Sequence, residues 1–408
     1  MRENFNQIFE RRMESIQERR SKGLKTFGYI CTYAPEELVY AAGILPVKVF
    51  GKPGETPAAD AHLYSNICSF VRSCFEQGFR DGYSQLDGLL ACNSCDHIRR
   101  LYDVWENYMA TPFTHILSLP CKATPSTLAF FQMEIKRLKE RLEEYLGQEI
   151  PPEAIREAIN VYNQSRQLLR RLYQLRRSHP PLITGAETLE IVLAGMVMPK
   201  DEFNLILQEY LDELEANPPR LTQDSVRLLV LGSELDDPEY LHLIEELGAV
   251  VVTDDLCNGS RYFWDLVDTS LEPIEGLAKR YLTRTPCPRM HPAQYRIEHL
   301  TQLIELFKVE GVIYETIKFC DLHGSAYPVI KKGLEPLGLP ILKLEREYSM
   351  ASLGQMKTRV LSANSPDVLR AFRRRSPADS AVGSSAPPGS HAAPPALQKL
   401  VSPCSSYA

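Results

Sequence analysis

Between residues 86 and 95 the chain reads LDGLLACNSC, a short apolar block, and it continues as DHIRRLYDVW, where Ile98, Leu101, Tyr102 and Trp105 recur at spacings of three and four. An apolar run of strand length followed by helical spacing predicts a buried strand feeding a helix, with Cys95 at the carboxyl end of the strand. The pattern returns far downstream. A strand is expected over 312–319, ending in Cys320-Asp321, then a helix, then a further strand over 339–344. In open parallel sheets ligands sit outside the carboxyl ends of strands, where helix N-termini point at the crevice. Two such ends facing each other would set Cys95 and Cys320 across one cleft.

The rest of the chain alternates in the same way. Residues 5–20 read as a charged surface helix, and 27–51 as strand, turn, helix and strand, with Pro35 opening the helix ahead of Glu36 and Glu37 and Gly43 closing it. A proline at the first helical turn sacrifices no intrahelical hydrogen bond, and carboxylates there suit the helix dipole. A helix over 62–79 carries Cys68 and Cys74 near its start, and a strand over 112–121 ends in Pro120-Cys121. From Ser126 to Leu146, Leu128, Phe131, Ile135, Leu138, Leu142 and Tyr145 form one continuous apolar seam, the mark of an amphipathic helix. A second long helix over 152–178 should pair with it antiparallel, and helices at 185–195 and 200–216 complete a helical block covering the first sheet. Beyond Asn217-Pro218-Pro219, a turn-rich linker, strands over 226–235 and 248–257 flank a helix at 240–247. Helices at 275–283 and 293–308 lead into the Cys320 strand.

This alternation predicts an α/β fold with two Rossmann-like or flavodoxin-like open parallel-sheet domains. The expected organisation is an N-terminal helix (1–24), a first α/β domain with the helical block (25–216), a second α/β domain (220–363) and a low-complexity tail (364–408). Residues 376–408 are dominated by Ser, Ala, Pro and Gly. Such a stretch buries too little apolar surface to order itself, so disorder is expected and Cys404 is set aside.

Composition narrows the function classes. The 408 residues are 44% hydrophobic with a net charge of -6, an ordinary globular balance that argues against a nucleic-acid or anionic-membrane surface as the main partner. The first residues are charged from Arg2 onward without an apolar core, and no apolar run of about 18 residues occurs. A cytoplasmic protein with no membrane span is therefore expected. Ten cysteines in such a chain are not expected to form structural disulfides, and some are plain core residues.

Cys92 and Cys95 form a C-x-x-C, which by itself is open to a thiol-redox pair, half a zinc site, a cluster anchor or two core residues. No second C-x-x-C or paired histidines supply the rest of a zinc site. Iron-sulfur ligation requires thiolates from several points of the chain to converge on one crevice, and Cys68, Cys95 and Cys320 are candidates by their placement at strand and helix ends. Glu36 and Glu37 are either dipole-stabilising carboxylates or catalytic ones. Histidines such as His97, His115 and His323 are read as surface or hydrogen-bonded residues. No GxxxxGK[ST] or GxGxxG motif appears, which argues against nucleotide binding by those routes.

The segments GYICTYAPEELVYAAGILPVKVFG, CSFVRSC, LDGLLACNSCDHIRRLYDVW, FCDLHGSAYPVIKKGLEPLGLPILKLE and EYSMASLGQMKTRV closely resemble the 2-hydroxyacyl-CoA dehydratase D-component family, which includes benzoyl-CoA reductase subunits. The resemblance implies a cytoplasmic, oxygen-sensitive subunit that binds one [4Fe-4S] cluster between two α/β domains and pairs with a homologous cluster-binding subunit. The family's cluster cysteines fall on Cys68, Cys95 and Cys320, with Cys31, Cys74, Cys92 and Cys121 as reserves for a fourth position. Its Pro-Glu-Glu motif falls on Pro35, Glu36 and Glu37, implying a catalytic carboxylate. The implied chemistry is one-electron reduction of an acyl-CoA thioester to a ketyl radical, fed by a separate ATP-dependent activator, either for dehydration or for ring reduction. A non-catalytic electron-relay subunit and a double-cubane-cluster reductase are the alternatives within the family, and a zinc or thiol-redox protein is the alternative outside it. After Val360 the chain departs from the family pattern, passing into the low-complexity tail.

Overall fold

The computed structural model of the protein describes residues 4–80, 82–218 and 225–348. Strands β1 (Thr26–Ile30), β2 (Leu45–Lys48), β3 (Gly88–Cys92) and β4 (Phe113–Leu117) form one sheet in the order β2-β1-β3-β4. Strands β5 (Val226–Gly232), β6 (Ala249–Asp255), β7 (Gly311–Ile317) and β8 (Ile341–Arg346) form a second in the order β6-β5-β7-β8. Every pairing is parallel. The two sheets thus repeat one strand order, and the protein is α/β as the alternation predicts.

The helices are α1 (Phe5–Glu10), α2 (Arg12–Ser21), α3 (Glu36–Ala41), α4 (Pro57–His62), α5 (Ser69–Arg80), α6 (Asp96–Tyr108), α7 (Pro125–Leu146), α8 (Pro152–Leu175), α9 (Gly185–Gly195) and α10 (Lys200–Ala216) before β5. After β5 come α11 (Pro238–Glu245), α12 (Ser260–Phe263), α13 (Pro273–Thr283), α14 (Gln294–Leu306) and α15 (Asp321–Leu334). Among the described residues no helix is long and apolar enough to cross a membrane. The expected linker falls between α10 and β5, with residues 219–224 outside the described residues. The low-complexity tail and all of the EYSMASLGQMKTRV segment beyond Tyr348 also lie outside them.

Burial explains the strand composition. β1, β3, β5, β6 and β7 are buried at every position, as strands covered on both faces must be, and so they read as continuous apolar runs. Edge strand β4 alternates between buried and half-buried positions. β8 begins two residues later than its apolar run suggests, because Gly338 in the left-handed region and Pro340 hold the connection.

Three local expectations are corrected. The single N-terminal helix is two, broken at Arg11, and its apolar positions Phe5, Phe9 and Ile16 are buried rather than superficial. The long helices do not form the expected antiparallel pair: α7 lies against β4 and α13, whereas α8 packs on α10 and α3. The helical block is shared between the sheets, since α9 packs against α11 and β6. Only a residue without Cβ fits where Gly185 meets Val251, since an added Cβ would lie 2.5 Å from that side chain. One core cluster accordingly runs from Phe70 and Leu89 under the first sheet to Val230 and Val312 in the second.

Candidate functional site

In a doubly wound sheet the crevice opens where the strand order reverses. Here those switch points lie between β1 and β3 in one sheet and between β5 and β7 in the other. The turns leaving β3 and β7 carry Cys95 and Cys320. Each cysteine is displaced from its expected strand end by a short turn and instead caps a helix. Cys95 caps α6, Cys320 caps α15, and Cys68 immediately precedes α5.

The three caps share one geometry. The carbonyls of Cys68, Cys95 and Cys320 accept from the N–H groups of Arg72, Arg99 and Gly324 at 3.2, 3.2 and 2.8 Å. The first-turn N–H groups point at the sulfurs: Ile98 N–H lies 3.5 Å from the Cys95 Sγ, and Val71 and His323 do the same for Cys68 and Cys320. Helix N-termini favour negative charge, so each of these positions is built to hold a thiolate. Close packing brings two of them together. A Cβ on Gly78 of α5 would lie 2.5 Å from the Trp105 ring of α6, so only glycine permits this approach.

The sulfurs sense one another. Burial pushes the Cys68 thiol up, and Cys95 pushes it further. Cys320 is likewise raised by burial and then by Cys68 and Cys95, while burial lifts Cys95 to about 12 against the Ile98 N–H. His97 ties the three segments: its Nδ1 accepts from Cys68 N–H at 3.2 Å, and its Nε2 lies 3.4 Å from Asp321 Oδ2. The approach is strained at Phe319, a non-glycine residue at φ 65° immediately before Cys320. Its ring is 45% exposed and lines, with Ile67, Ser69, Arg72 and Lys318, a cavity of about 140 Å³.

Among the described residues no three His, Cys, Asp or Glu side chains gather closely enough to hold a single metal ion. A cubane makes a different demand, since it interposes a cube of iron and sulfide between its ligands. Three mutually repelling thiols at three helix N-termini suit that group, because iron charge relieves the repulsion and the N–H groups stabilise the sulfur ligands.

The reserve cysteines separate. Cys74 is fully buried in α5 near Lys48, and Cys121 is exposed. Cys31 and Cys92 follow the Ile30–Ala91 pair on adjacent strands and so lie side by side. The Cys92 S–H hydrogen-bonded to Cys31 holds the latter down to about 6 against burial, aided by Ser94 and Arg284. Cys287 and Cys257, which no sequence pattern singled out, lie in the same interior.

Glu36 and Glu37 fall elsewhere, 2% and 0% exposed, in a seam between the two halves of the chain. Glu37 Oε1 pairs with Arg166, and its Oε2 accepts from Tyr281 OH at 2.7 Å. Glu36 Oε2 accepts from Tyr262 OH at 3.1 Å and lies 3.9 Å from Lys200 Nζ. Burial pushes both carboxyls up; Arg166 and Arg280 bring Glu37 below the ordinary value, whereas Glu36 stays raised. Burial also lowers Lys200 to about 8 in spite of Glu36. No motif marked Arg166, Lys200, Tyr262 or Tyr281. They look like ordinary helix residues until the fold gathers them.

Comparison with known proteins bears on this arrangement. A family model described as 2-hydroxyglutaryl-CoA dehydratase, D-component, matches residues 31–362. The (R)-phenyllactyl-CoA dehydratase beta subunit of Clostridium sporogenes is 26% identical over 362 residues, covering 88% of this chain and 96% of its own. The beta subunit of the (R)-2-hydroxyglutaryl-CoA dehydratase of Acidaminococcus fermentans is 27% identical over 364 residues, covering 87% and 96%. A benzoyl-CoA reductase subunit of Thauera aromatica is 29% identical over 308 residues, covering 73% and 79%.

Proposed function

The chain belongs to the 2-hydroxyglutaryl-CoA dehydratase D-component family, and from that premise we propose that it is the iron-sulfur subunit of a 2-hydroxyacyl-CoA dehydratase or benzoyl-CoA reductase type enzyme. The observation that carries the proposal is the convergence of Cys68, Cys95 and Cys320 at three helix N-termini with mutually raised thiols. These residues would hold a [4Fe-4S] cluster. When bound, such a cluster supplies a low-potential electron to the thioester carbonyl of an acyl-CoA, giving a ketyl radical, and an iron able to bind oxygen.

The chain's own groups set the conditions for that chemistry. Val71, Ile98 and His323 aim backbone N–H groups at the sulfurs and hold the thiolate form. Of the two carboxylates proposed as catalytic, Glu36 suits proton holding, because burial raises it and Tyr262 and Lys200 surround it. Glu37, anionic between Arg166 and Tyr281, positions Glu36. The partners in this reading are a homologous cluster-binding subunit, as the subunit names of the relatives suggest, and an ATP-dependent activator that delivers the electron. The setting is cytoplasmic and anaerobic.

One observation favours a second reading, an electron-relay subunit whose partner binds the acyl-CoA. The cavity beside Phe319, about 140 Å³, is below the roughly 300–1,000 Å³ typical of ligand pockets. An acyl-CoA that changes the cluster's EPR signal in the isolated protein supports the catalytic role, and an unchanged signal supports the relay.

The test of the main reading is anaerobic purification with iron and sulfide analysis. Wild-type protein should carry about four of each per chain, and Cys95→Ala and Cys320→Ala should lose them. Colourless wild-type protein without iron after anaerobic reconstitution would remove the proposal.

A further inference from the structure

We propose that His97 is the positioning residue that sets the three cleft thiols in register, using opposite nitrogens of one imidazole to hold a segment from each half of the chain. The inference rests on the reading of the cleft as a cluster site and adds a role for a residue outside the thiol set.

His97 is the second residue of α6 and 8% exposed. Its Nδ1, 3.2 Å from the Cys68 amide nitrogen, accepts that N–H and is therefore unprotonated. The neutral ring then carries its proton on Nε2, where it donates to Asp321 Oδ2 at 3.4 Å. This tautomer is the one that satisfies both neighbours. The backbone N–H of His97 is also directed at the Cys95 sulfur. One residue thus touches Cys68, contributes to the setting of Cys95, and holds the residue that follows Cys320.

The need for such a tie follows from the fold. α5 and α6 are locked together by the Gly78–Trp105 contact, but α15 belongs to the other sheet. Its first turn packs thinly at the cleft, with the Asp321 side chain 81% exposed and Phe319 half-exposed before it. Three helix N-termini also bring like partial charges together. A link to a solvated carboxylate contributes little to global stability. The effect of His97 is therefore expected in the geometry of the sulfurs rather than in the melting temperature.

Four full-length variants test this: His97→Ala, His97→Asn, which keeps an acceptor toward Cys68, His97→Gln, which keeps a donor toward Asp321, and Asp321→Ala. In anaerobically loaded protein, His97→Ala should keep a wild-type melting temperature, change the EPR line shape and lose iron to a chelator about tenfold faster, the scale of one hydrogen bond to a charged group. Asn and Gln should each restore part of the chelator resistance. Asp321→Ala should have no further effect in the His97→Ala background, because both remove the same link. A wild-type EPR signal and chelator half-life in His97→Ala, or simple addition of the two effects, overturns the proposal.

A second measurement needs no iron. In cluster-free protein a short bis-maleimide should bridge Cys95 to Cys320, mapped by peptide mass, and His97→Ala should lower that yield several-fold. An unchanged yield overturns the positioning role. Wild-type protein that takes up no iron but shows the His97-dependent bridge would instead remove the cluster reading and leave the register role standing.

Discussion

The thiol cleft and the carboxylate seam both join the two halves of the chain, yet they are built on opposite principles. In the seam, Glu37 engages Arg166 and Tyr281 with separate oxygens and is shut away from water. In the cleft, three thiols at helix N-termini raise one another, beside a strained and part-exposed Phe319. A buried charge survives by finding all its partners. A site that takes up a ligand keeps its groups under-satisfied until the ligand arrives. The contrast marks the seam as a cross-link that stabilises and positions, and the cleft as the place left for a guest.

The largest separation between the two should come from iron. Cys68→Ala removes one of the three cleft sulfurs and should abolish the cluster content found in wild-type protein, whereas Glu37→Gln should retain it. Equal iron in both variants, by anaerobic analysis, would erase the distinction.

Stability should show the reverse order. Arg166→Met leaves Glu37 buried without its ion-pair partner and should destabilise the protein by about 3–5 kcal/mol in denaturant unfolding, with iron binding intact. A loss of less than about 1 kcal/mol, the scale of a surface pair, would mean that the seam is not the cross-link it resembles.

A smaller effect belongs to the packing that presents the cleft. Gly78→Ala must push α5 from Trp105 and should cost about 1–3 kcal/mol, the usual scale of overpacking. It should also alter the cluster's EPR line shape, because Cys68 and Cys95 cap the two helices being separated.

The smallest effect, and the most discriminating, is the response of metal-free protein to pH. Glu37 is held below 4.5, so its contribution is complete above that value and is lost as the pH falls through the depressed one. Glu36, held above 4.5, works in the opposite sense and blunts this loss. Cys95 is raised from 9.0 to about 12, so its contribution is complete below pH 9.0 and is lost as pH rises toward 12. Denaturant midpoints across pH should therefore fall at the acid end for the seam and at the alkaline end for the cleft. Glu37→Gln should change the acid limb and Cys95→Ser should flatten the alkaline one; a Cys95→Ser profile that overlays wild type would show that the thiol does not titrate as its setting requires.

Much of this was legible along the chain because the signals are local. The apolar run before Cys92 and the three- and four-residue spacing from Ile98 to Trp105 announce strand β3 and helix α6, since periodicity belongs to each element alone. The repeated Cys-Asp step pointed to two helix starts, and both are present. The caps were misplaced by a turn, because an apolar run does not report where pairing stops. The pairing of α8 with α10 and α3 rather than α7 was hidden for a related reason: an apolar seam declares that a helix is buried, not against what.

By itself, then, the sequence determined the parallel α/β class, the order of the elements and the cysteines worth watching, because backbone preference and hydrophobic period act over a few residues. Tertiary structure alone decided that His97 spans the cleft, that Lys200, Tyr262 and Tyr281 surround the carboxylates, and that Gly78 sets the approach of α5 to α6. Those relations join residues far apart in the chain, up to the 244 positions between Glu37 and Tyr281. Such contacts are selected by the closing of one packed interior around both sheets, a condition that no short stretch of residues carries.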